Sequence, residues 1–588
     1  MYVLYKHLLL IGLALLRSAQ ALLHPWPALH RRELDEATPV MGNSAGSLSS
    51  ETEAFIDHQT VTLPLDHFGN NTATFNNRYW VLEEFYKPGG PVFLIDGGES
   101  NSLFAVEYYL RGNMTPTRDL AREFNAMVIL WEHRYYGRST PYDITNNTTP
   151  EQMQYLTTAQ ALADLPVFAR TFERPNWPLI PLTPDYTPWV IFGGSYSGTR
   201  AAFARAKYPT TFLAAYASSA PVQARIDMSV YFEQIARGII EFGFGNCTRD
   251  MRAAVQQIDK QLRLPATAAE LKRKFLGKDS EGVGNGGFGL ALSLVLYNWQ
   301  AWGMESCCGN EWGLRNFCDY METDPETNVT AGAQGWAKET GVQWVIDRWA
   351  QWPKLIGMVN RYLGQNCEGY YGTGNDGTIY CDRFDAARTD SASISWAWLI
   401  CSEWGFVQSV NLGPNQIVSR YLSQKYGQDL CYHYFPTGVS SGFLPHKPQV
   451  EKVNGEFEGW NMRASNTFFT GGKYDPWTSL SVLSSEKWAP QNVVSHDIPT
   501  CGMPTPRNKI FGYLMKNTVH SFDIFGGKKQ RHFPEVNDAL GIFSTALKEW
   551  LECYDRKYGL SMGTLHPTSP AGDDLGDHIR DVICGYGL

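Results

Sequence analysis

An apolar strand and a helix meet at one serine in the stretch Trp189-Val190-Ile191-Phe192-Gly193-Gly194-Ser195-Tyr196-Ser197-Gly198-Thr199-Arg200-Ala201-Ala202-Phe203-Ala204-Arg205-Ala206. The β-branched and aromatic run before Gly193 is typical of a buried strand, and the alanine-rich run after Gly198 has helical spacing. Small residues flank Ser195, as a sharp turn from strand to helix requires, because larger side chains would collide with the strand. The pattern predicts that Ser195 is a nucleophile displayed at the edge of an α/β sheet.

Two other serines match the formula Gly-x-Ser-x-Gly more closely, because Ser197 stands where that formula has its second glycine. Ser44 lies in a polar stretch with no strand before it. Ser440 is followed by Phe443-Leu444-Pro445, and proline prevents a long helix from starting there. The formula indicates a nucleophile only between a strand and a helix, so Ser195 is favoured. The alternative for Ser195 is a glycine-rich turn without a catalytic role.

Strand patterns alternate with helical patterns on both sides of this turn. Predicted strands, with their adjoining turns, cover residues 59–68, 74–81, 91–100, 127–132, 212–221 and 466–472, and predicted helices cover 157–168 and 537–554. The first two strands are expected to pair in antiparallel fashion. Because strands that alternate with helices build a mostly parallel sheet, the sequence predicts an α/β core.

Helical patterns dominate from about residue 226 to about residue 440, for example over 249–262 behind Thr248 as N-cap and over 266–276. Of the 11 cysteines, most fall in this interval. We interpret it as a disulfide-linked helical cap inserted into the core. Residues 284–289 match G-x-G-x-x-G, but no strand precedes them, so a loop without a bound nucleotide is expected.

On this interpretation the chain divides into six segments. They are a signal peptide over 1–21, a mobile leader or propeptide over 22–54, a first core part over 55–225, the cap over 226–440, a second core part over 441–556 and a tail over 557–588. The signal peptide is indicated by Lys6, an apolar run over residues 8–16 and the small-x-small site Ala19-Gln20-Ala21.

Composition bounds the function further. The 588 residues are 43% hydrophobic and 13% aromatic, which suffices for a large buried core. With 50 basic and 59 acidic residues the formal charge is −9, so no basic surface points to nucleic acid. No Cys/His spacing indicates zinc, and we expect neither a metal nor a cofactor.

Glycosylation sequons and cysteines point to an oxidising compartment. The sequons lie at Asn70, Asn113, Asn146, Asn147, Asn246 and Asn328. Adjacent Asn146 and Asn147 are not both expected to carry a glycan. Together with the signal peptide, these features predict a secreted protein or a vacuolar or lysosomal one.

A nucleophilic serine needs a base and an acid that orients the base. Asp475 follows a strand that ends in two glycines, which is where an α/β-hydrolase displays its acid; a turn-capping aspartate is the alternative. His520 lies in a short segment before the final helix, as a loop-borne base should. The backbone N–H groups of Tyr196 and Gly98 are the expected oxyanion donors, the second being uncertain by one residue.

Seven blocks resemble a known family, the serine peptidases that include prolyl carboxypeptidase, dipeptidyl peptidase II, thymus-specific serine peptidase and fungal prolyl endopeptidases. The blocks are Gln59…Leu65-Asp66-His67-Phe68, Arg78-Tyr79, Glu132-His133-Arg134-Tyr135-Tyr136-Gly137-Arg138-Ser139, Gln160-Ala161-Leu162-Ala163-Asp164, Gly193-Gly194-Ser195-Tyr196, Gly471-Gly472…Asp475-Pro476-Trp477 and His520-Ser521-Phe522-Asp523. The resemblance implies Ser195 as nucleophile, Asp475 as acid and His520 as base. It also implies an α/β-hydrolase core under a helical cap.

The same resemblance implies cleavage on the carboxyl side of proline, which needs an apolar, aromatic-walled pocket. Tyr196, Trp477 and either Trp398 or Trp404 are the candidate walls, with ordinary core packing as the alternative. Glu403 is expected either to bind a substrate amino terminus or to be the buried partner of an arginine. The sequence leaves open whether the enzyme attacks a carboxyl end, an amino end or an internal bond.

Two rival functions stand beside the peptidase. One is an esterase or lipase on the same core, which the sequence disfavours because no amphipathic lipid-facing lid is recognisable. The other is a non-catalytic secreted relative that acts as a binding protein, disfavoured because all three catalytic residue types are present. The expected partners are proline-containing peptides or proteins, with no nucleic acid and no stable membrane anchor, and a homodimer is left open.

Overall fold

The computed structural model describes residues 56–112, 115–304, 313–372, 377–382, 384–385, 390–525 and 533–558. The predicted signal peptide, the leader, Ser44, Asn113 and the tail from residue 559 lie outside the described residues. Within the described residues, no helix combines the length and the apolar character needed to cross a bilayer.

The strands of the described chain form one large sheet and one short ladder. They are β1 Gln59–Pro64, β2 Thr74–Leu82, β3 Val92–Asp96, β4 Met127–Trp131, β5 Trp189–Gly194, β6 Ala214–Ser218, β7 Arg225–Asp227, β8 Gly405–Val407, β9 Thr467–Gly472, β10 Val493–Ser495 and β11 Lys509–Met515. The large sheet has the order β1-β2-β4-β3-β5-β6-β9-β11-β10. β2 pairs antiparallel with β1 and β4. All other neighbours in that sheet are parallel.

This strand order and direction are those of the α/β-hydrolase fold, and the predicted mostly parallel sheet is confirmed. Strands β3, β4, β5 and β6 are buried along their whole length because helices cover both faces. The core helices are α1 Pro116–Glu123, α2 Pro150–Met153, α3 Thr158–Thr171 and α4 Tyr196–Lys207, and later α15 Val450–Phe457, α16 Phe522–Phe525 and α17 Pro534–Tyr558.

The chain between β7 and β9 is mainly helical. Its helices are α5 Val230–Glu241, α6 Gly245–Gln261, α7 Pro265–Leu276, α8 Asn285–Trp302, α9 Leu314–Glu322, α10 Trp336–Glu339, α11 Val342–Ala350, α12 Leu355–Leu363, α13 Ser391–Leu399 and α14 Gln424–Tyr434. A π-helical turn, Ile400–Trp404, extends α13. We call this helical segment the cap.

Disulfides link parts of the cap, as predicted. They join Cys247 to Cys318, Cys367 to Cys381 and Cys401 to Cys431, and a fourth joins Cys501 to Cys553 in the second core part. The fourth bond ties the loop before β11 to α17. Cys307, Cys308 and Cys584 lie outside the described residues.

Two local predictions were wrong. Helix α6 begins at Gly245 rather than after Thr248. The segment predicted as a glycine-rich loop forms the first turns of α8 instead. Its glycines serve packing, because a Cβ on Gly286 would lie 2.3 Å from the Tyr426 ring and one on Gly287 would lie 2.7 Å from Phe384. Strands β11 and β10, which the sequence analysis did not predict, extend the sheet beyond β9.

A short parallel ladder fixes part of the cap to the core. β7 follows directly after β6, and its Arg225 and Asp227 pair with Gly405 and Val407 of β8. Gly405 has φ 75°, and a Cβ there would lie 2.7 Å from the Ile226 Cα, so only glycine permits this close approach. The ladder therefore fixes the neighbours of Gly405 over the core.

Two buried carboxyl groups face each other inside the cap. Asp250 on α6 accepts hydrogen bonds from the N–H groups of Trp336 at 2.7 Å and Ala337 at 2.9 Å. Glu322, at the end of α9, lies close enough to feel the charge of Asp250, but neither of its carboxyl oxygens has a hydrogen-bond partner among the described residues. Burial, the charge of Asp250 and the charge of Glu339 raise the pKa of Glu322 to about 8. The raised pKa favours the protonated form of Glu322 at neutral pH.

We expect this pair to make the folded chain less stable as pH rises. Because the pKa of Glu322 is raised on folding, its contribution is fully present below its unfolded pKa and is lost as pH rises through about 8. The expected slope is about 1.4 kcal/mol per pH unit in this window. Urea unfolding at pH 5 and pH 7.5 measures it, and Glu322→Gln should lose less stability between the two values. The exposed control Glu326→Gln should behave as wild type; an equal loss in Glu322→Gln contradicts the assignment.

Candidate active site

Ser195 lies on a sharp turn between β5 and α4. Its φ of 63° and ψ of −131° belong to a region that side-chain-bearing residues rarely adopt. The N–H of Ser195 donates to the Ser218 carbonyl at 2.9 Å. A Cβ on Gly193 would lie 2.1 Å from the Ser197 carbonyl oxygen, so the turn admits no side chain there. The backbone thus presents Ser195 at the carboxyl end of the sheet.

Ser197, which replaces the usual glycine, stabilises this turn. Its Oγ accepts from the Gly194 N–H at 3.0 Å and donates to the Gly194 carbonyl at 2.7 Å. The side chain is small enough to fold back on the strand it follows. The departure from the glycine formula is therefore accommodated without opening the turn.

Asp475 follows β9 and is fully buried. It caps the 3-10 helix Pro476–Leu480, where its Oδ1 accepts from the Trp477 N–H at 2.9 Å. Its Oδ2 accepts from the Thr478 hydroxyl at 3.2 Å. The carboxylate is also 2.9 Å from Nδ1 of His520. The turn-capping and the acid interpretations of Asp475 are thus compatible, because one side chain makes both sets of contacts.

His520 lies in the loop after β11. Because a carboxylate accepts hydrogen bonds, the contact with Asp475 places a proton on Nδ1 and leaves Nε2 as the basic nitrogen. The His520 N–H donates to the Gln300 carbonyl at 3.1 Å. Gln300 Oε1 also accepts from the Trp477 indole at 3.0 Å. Gln300, on cap helix α8, was missed by the sequence analysis because no motif contains it.

Asp523 fixes the His520 loop from behind. This carboxylate is 1% exposed and accepts hydroxyl hydrogen bonds from Tyr216 at 2.6 Å, from Ser218 at 2.5 Å and from Thr470. These donors lie on β6 and β9, the strands between those that carry Ser195 and His520. The loop after β11 is therefore anchored to the centre of the sheet.

The sheet order brings the three predicted residues to one edge. Ser195, Asp475 and His520 follow β5, β9 and β11, and β6 lies between the first two strands. At the end of β6, Ser218 accepts from the Ser195 N–H and Ser219 Oγ accepts from the Ser521 N–H at 2.9 Å. The end of β6 therefore supports both the nucleophile turn and the histidine loop.

The amide of Gly98, the predicted second oxyanion donor, makes a hydrogen bond within its own loop. The Gly98 N–H donates to Asp96 Oδ1 at 3.0 Å, so it is already engaged. Gly98 has φ 65°, and a Cβ there would touch Ser197 at 3.4 Å, which places the loop against the nucleophile turn. The side chain of Asp96 thus occupies the Gly98 N–H. The next residue along the loop is Glu99.

A connected series of aromatic rings runs from Tyr196 to His520. The ring-centre distances are 5.8 Å for Tyr196–Trp404, 5.3 Å for Trp404–Phe406, 5.2 Å for Phe406–Trp477 and 6.3 Å for Trp477–His520. The first and last rings belong to the core turns, whereas Trp404 and Phe406 come from the cap. The predicted residues Tyr196, Trp404 and Trp477 are thus brought together, and Phe406 joins them.

Trp398 does not belong to this series. It packs on Phe435 of the cap at 5.2 Å, whereas Trp396 lies 5.3 Å from Tyr196. Residues two apart on a helix point to different sides, so only one of the two can face the nucleophile turn. The sequence analysis named Trp398 and not Trp396, because both tryptophans sit in the same apolar run and the sequence does not show which of them faces Tyr196.

Glu403 contacts a threonine rather than an arginine. Its carboxylate accepts from the Thr158 N–H at 2.9 Å and from the Thr158 hydroxyl at 2.7 Å, at the start of α3. The Trp404 indole donates to the same hydroxyl at 3.0 Å. Burial raises the pKa of Glu403 to about 7. The contact joins the cap to the core.

The remaining predicted sites lie at the surface or outside the described residues. Asn70, Asn146, Asn147 and Asn328 are exposed, Asn246 is half-buried at the start of α6, and Ser440 lies in an exposed turn. No group of three or more His, Cys, Asp or Glu side chains in the described ranges is arranged to hold a metal ion.

Comparison with known families agrees with this geometry. A family model described as "Serine carboxypeptidase S28" matches residues 63–500, which is more than half of the chain. The chain belongs to the serine carboxypeptidase S28 family. The resemblance seen in the sequence blocks is thereby confirmed, and the chain is an S28 serine peptidase with peptides as its substrates.

Curated S28 relatives align along most of this chain. A "Probable extracellular serine carboxypeptidase" of Arthroderma benhamiae is 26% identical over 86% of this chain and 69% of the relative. The "Serine protease vicPb" of Bipolaris victoriae is 26% identical over 83% of this chain and 87% of the relative. The human "Thymus-specific serine protease" is 27% identical over 72% of this chain and 76% of the relative.

Proposed function

We propose that this S28 peptidase cleaves on the carboxyl side of proline through Ser195, His520 and Asp475. Ser195 is the nucleophile, His520 the base and Asp475 the acid that orients it. The positions of the three side chains support this proposal. The three residues follow neighbouring parts of one sheet edge, and the His520–Asp475 contact of 2.9 Å fixes the tautomer that a base needs.

In the proposed reaction, Ser195 Oγ attacks the scissile carbonyl carbon while Nε2 of His520 takes the hydroxyl proton. The tetrahedral intermediate collapses, and the imidazolium gives that proton to the leaving amine. Water then attacks the acyl-enzyme by the same route and frees Ser195. The carboxylate of Asp475 stabilises the imidazolium in both halves of the reaction.

The oxyanion of the intermediate needs two N–H donors. The N–H of Tyr196 begins α4, where no residue of that helix accepts it and the helix dipole favours negative charge. The amide of Glu99 is the second donor in this proposal: the Gly98 amide donates to Asp96, and the Glu99 amide is available to the oxyanion when its own carboxyl does not hold it.

The aromatic series carries the proline preference. A proline ring has no N–H to recognise, so selectivity must come from contact with apolar, rigid surfaces. The rings of Trp404, Phe406 and Trp477 link the residue after the nucleophile to the base, and we take them as the apolar surface that contacts the proline ring. This is the single observation on which the proline preference rests.

A peptide panel tests the proposal. Substrates with proline, alanine or leucine before the scissile bond, each with free and with blocked ends, are compared by kcat/KM. We expect proline to be preferred by at least tenfold, since one well-filled apolar pocket discriminates by about 10- to 200-fold. The pattern of tolerated blocked ends identifies the attacked end.

Equal rates for the three residues would refute the proline preference while leaving a serine peptidase. If the protein hydrolyses esters but cleaves no peptide, it is an esterase. If it hydrolyses neither and is not labelled by a fluorophosphonate, it is a binding protein. The proposed location is extracellular or vacuolar/lysosomal, supported by the disulfides and by the extracellular name of the Arthroderma relative.

A further inference from the structure

Behind the proposed oxyanion loop lies a buried group of ionisable side chains. It consists of Asp96 at the end of β3, Glu99 in the loop, Tyr136 after β4 and Arg200 on α4, each no more than 5% exposed. We call these residues the Glu99 cluster. The chemistry proposed above uses the Glu99 amide but none of these side chains.

The Glu99 cluster contains two carboxyl groups and one cation. Arg200 Nη1 donates to Asp96 Oδ1 at 3.1 Å, and its Nη2 donates to the Ala161 carbonyl at 3.1 Å. Asp96 Oδ1 also accepts from the Gly98 N–H. Arg200 is therefore committed to Asp96, and the carboxyl of Glu99 has no cation of its own among the described residues facing it.

The nearby histidine does not supply a second cation. His133 Nδ1 lies 2.6 Å from the Arg134 carbonyl, which can only accept, so Nδ1 carries the proton. Its Nε2 lies 3.4 Å from the Tyr196 hydroxyl. Burial and the charges of Arg200 and Arg134 hold the pKa of His133 well below its usual value. His133 is therefore neutral at ordinary pH.

Glu99 itself is poorly solvated. Its Oε1 has no hydrogen-bond partner among the described residues, and neither does the buried Tyr136 hydroxyl. Burial, and secondarily the charge of Asp96, raise the pKa of Glu99 to about 7, against the lowering effects of its own backbone N–H and of Arg200. The Glu99 carboxyl thus lies against the same amide that is proposed to bind the oxyanion.

We propose that Glu99 is a positioning residue whose uncharged form is the active one, so that its ionisation switches the peptidase off. An ionised carboxylate competes for the Glu99 N–H and places a negative charge beside the developing oxyanion. The uncharged carboxyl accepts more weakly and leaves the amide to the substrate. This inference rests on the proposed oxyanion site but not on the proline preference.

The rate of Ser195 labelling by a fluorophosphonate, measured from pH 4 to pH 9, tests the inference without any peptide. For wild type we expect the rate to fall about tenfold per pH unit above about pH 7. In Glu99→Gln the side chain stays neutral, so the labelling rate should begin to fall at a pH at least one unit higher than in wild type. Labelling at pH 5 should stay within tenfold of wild type.

Glu322→Gln is the matched control, because the pKa of Glu322 is also raised, to about 8, but this carboxyl lies inside the cap and has no part in the proposed site. The pH at which its labelling rate falls should equal that of wild type. An unchanged pH dependence in Glu99→Gln, or a changed one in Glu322→Gln, overturns the inference. If Glu99→Gln does not fold, Glu99→Asp replaces it in the test. The pH at which its labelling rate falls should shift by at least half a unit, and no shift would overturn the inference. If the protein is labelled but shows no preference for proline, only the proposed proline pocket is refuted, and the inference about Glu99 is unaffected.

Discussion

Ser195→Ala is expected to reduce kcat for peptide hydrolysis about a million-fold while leaving KM within a few-fold. The variant keeps the pocket and the oxyanion donors but has no hydroxyl to form the acyl-enzyme, and losses of this size are typical when a nucleophile is removed. Alanine is small enough for the strained turn, so the thermal unfolding midpoint should change little. Steady-state hydrolysis and a thermal melt of the same preparation measure both consequences, and fluorophosphonate labelling checks that the nucleophile is gone.

Ser440→Ala is the matched control, because Ser440 fits the Gly-x-Ser-x-Gly formula but lies in an exposed turn. It should hydrolyse and label as wild type does. If Ser440→Ala lost activity and Ser195→Ala kept it, the assignment of the nucleophile would be wrong. Loss in neither variant would mean that the chemistry does not pass through a serine of these two turns.

Asp475→Asn is expected to lower kcat about ten-thousandfold at neutral pH, with KM nearly unchanged. Asparagine is neutral, so it cannot stabilise the imidazolium, and its amide group favours the wrong tautomer of His520. The N–H of Trp477 and the hydroxyl of Thr478 still surround the side chain, so the turn should persist. The pH profile of kcat/KM and a thermal melt separate this electronic effect from misfolding.

Asp497→Asn provides the comparison, since Asp497 is an exposed aspartate that pairs with Lys509 at the surface. Its kcat should equal that of wild type. A loss in Asp475→Asn below tenfold, with a normal melting temperature, would show that Asp475 only caps the turn.

The sequence predicted those features that depend on short, local patterns. The change from strand to helical periodicity singled out Ser195, and the strand that ends in Gly471-Gly472 located Asp475. His520 was selected by chain order and by its place before the last helix. These signals suffice because the turns at the sheet edge are built from consecutive residues.

Features that depend on contacts between distant segments could not be predicted in this way. The choice of Trp396 over Trp398 depends on how α13 is rotated against Tyr196. Gln300 reaches His520 from a cap helix, and no sequence pattern connects those two positions.

The support that β6 gives to both loops has a consequence for the timing of biosynthesis. Ser219 and Ser521, which join the two halves of the site, are 302 residues apart. At about 5 to 20 residues per second, the ribosome needs roughly 15 to 60 s to make that stretch. If Ser195 and His520 act as proposed, the nucleophile turn has no base during this interval, and we expect the growing chain to be inert. The cell that makes this peptidase would then be protected from it until nearly the whole polypeptide has been synthesised.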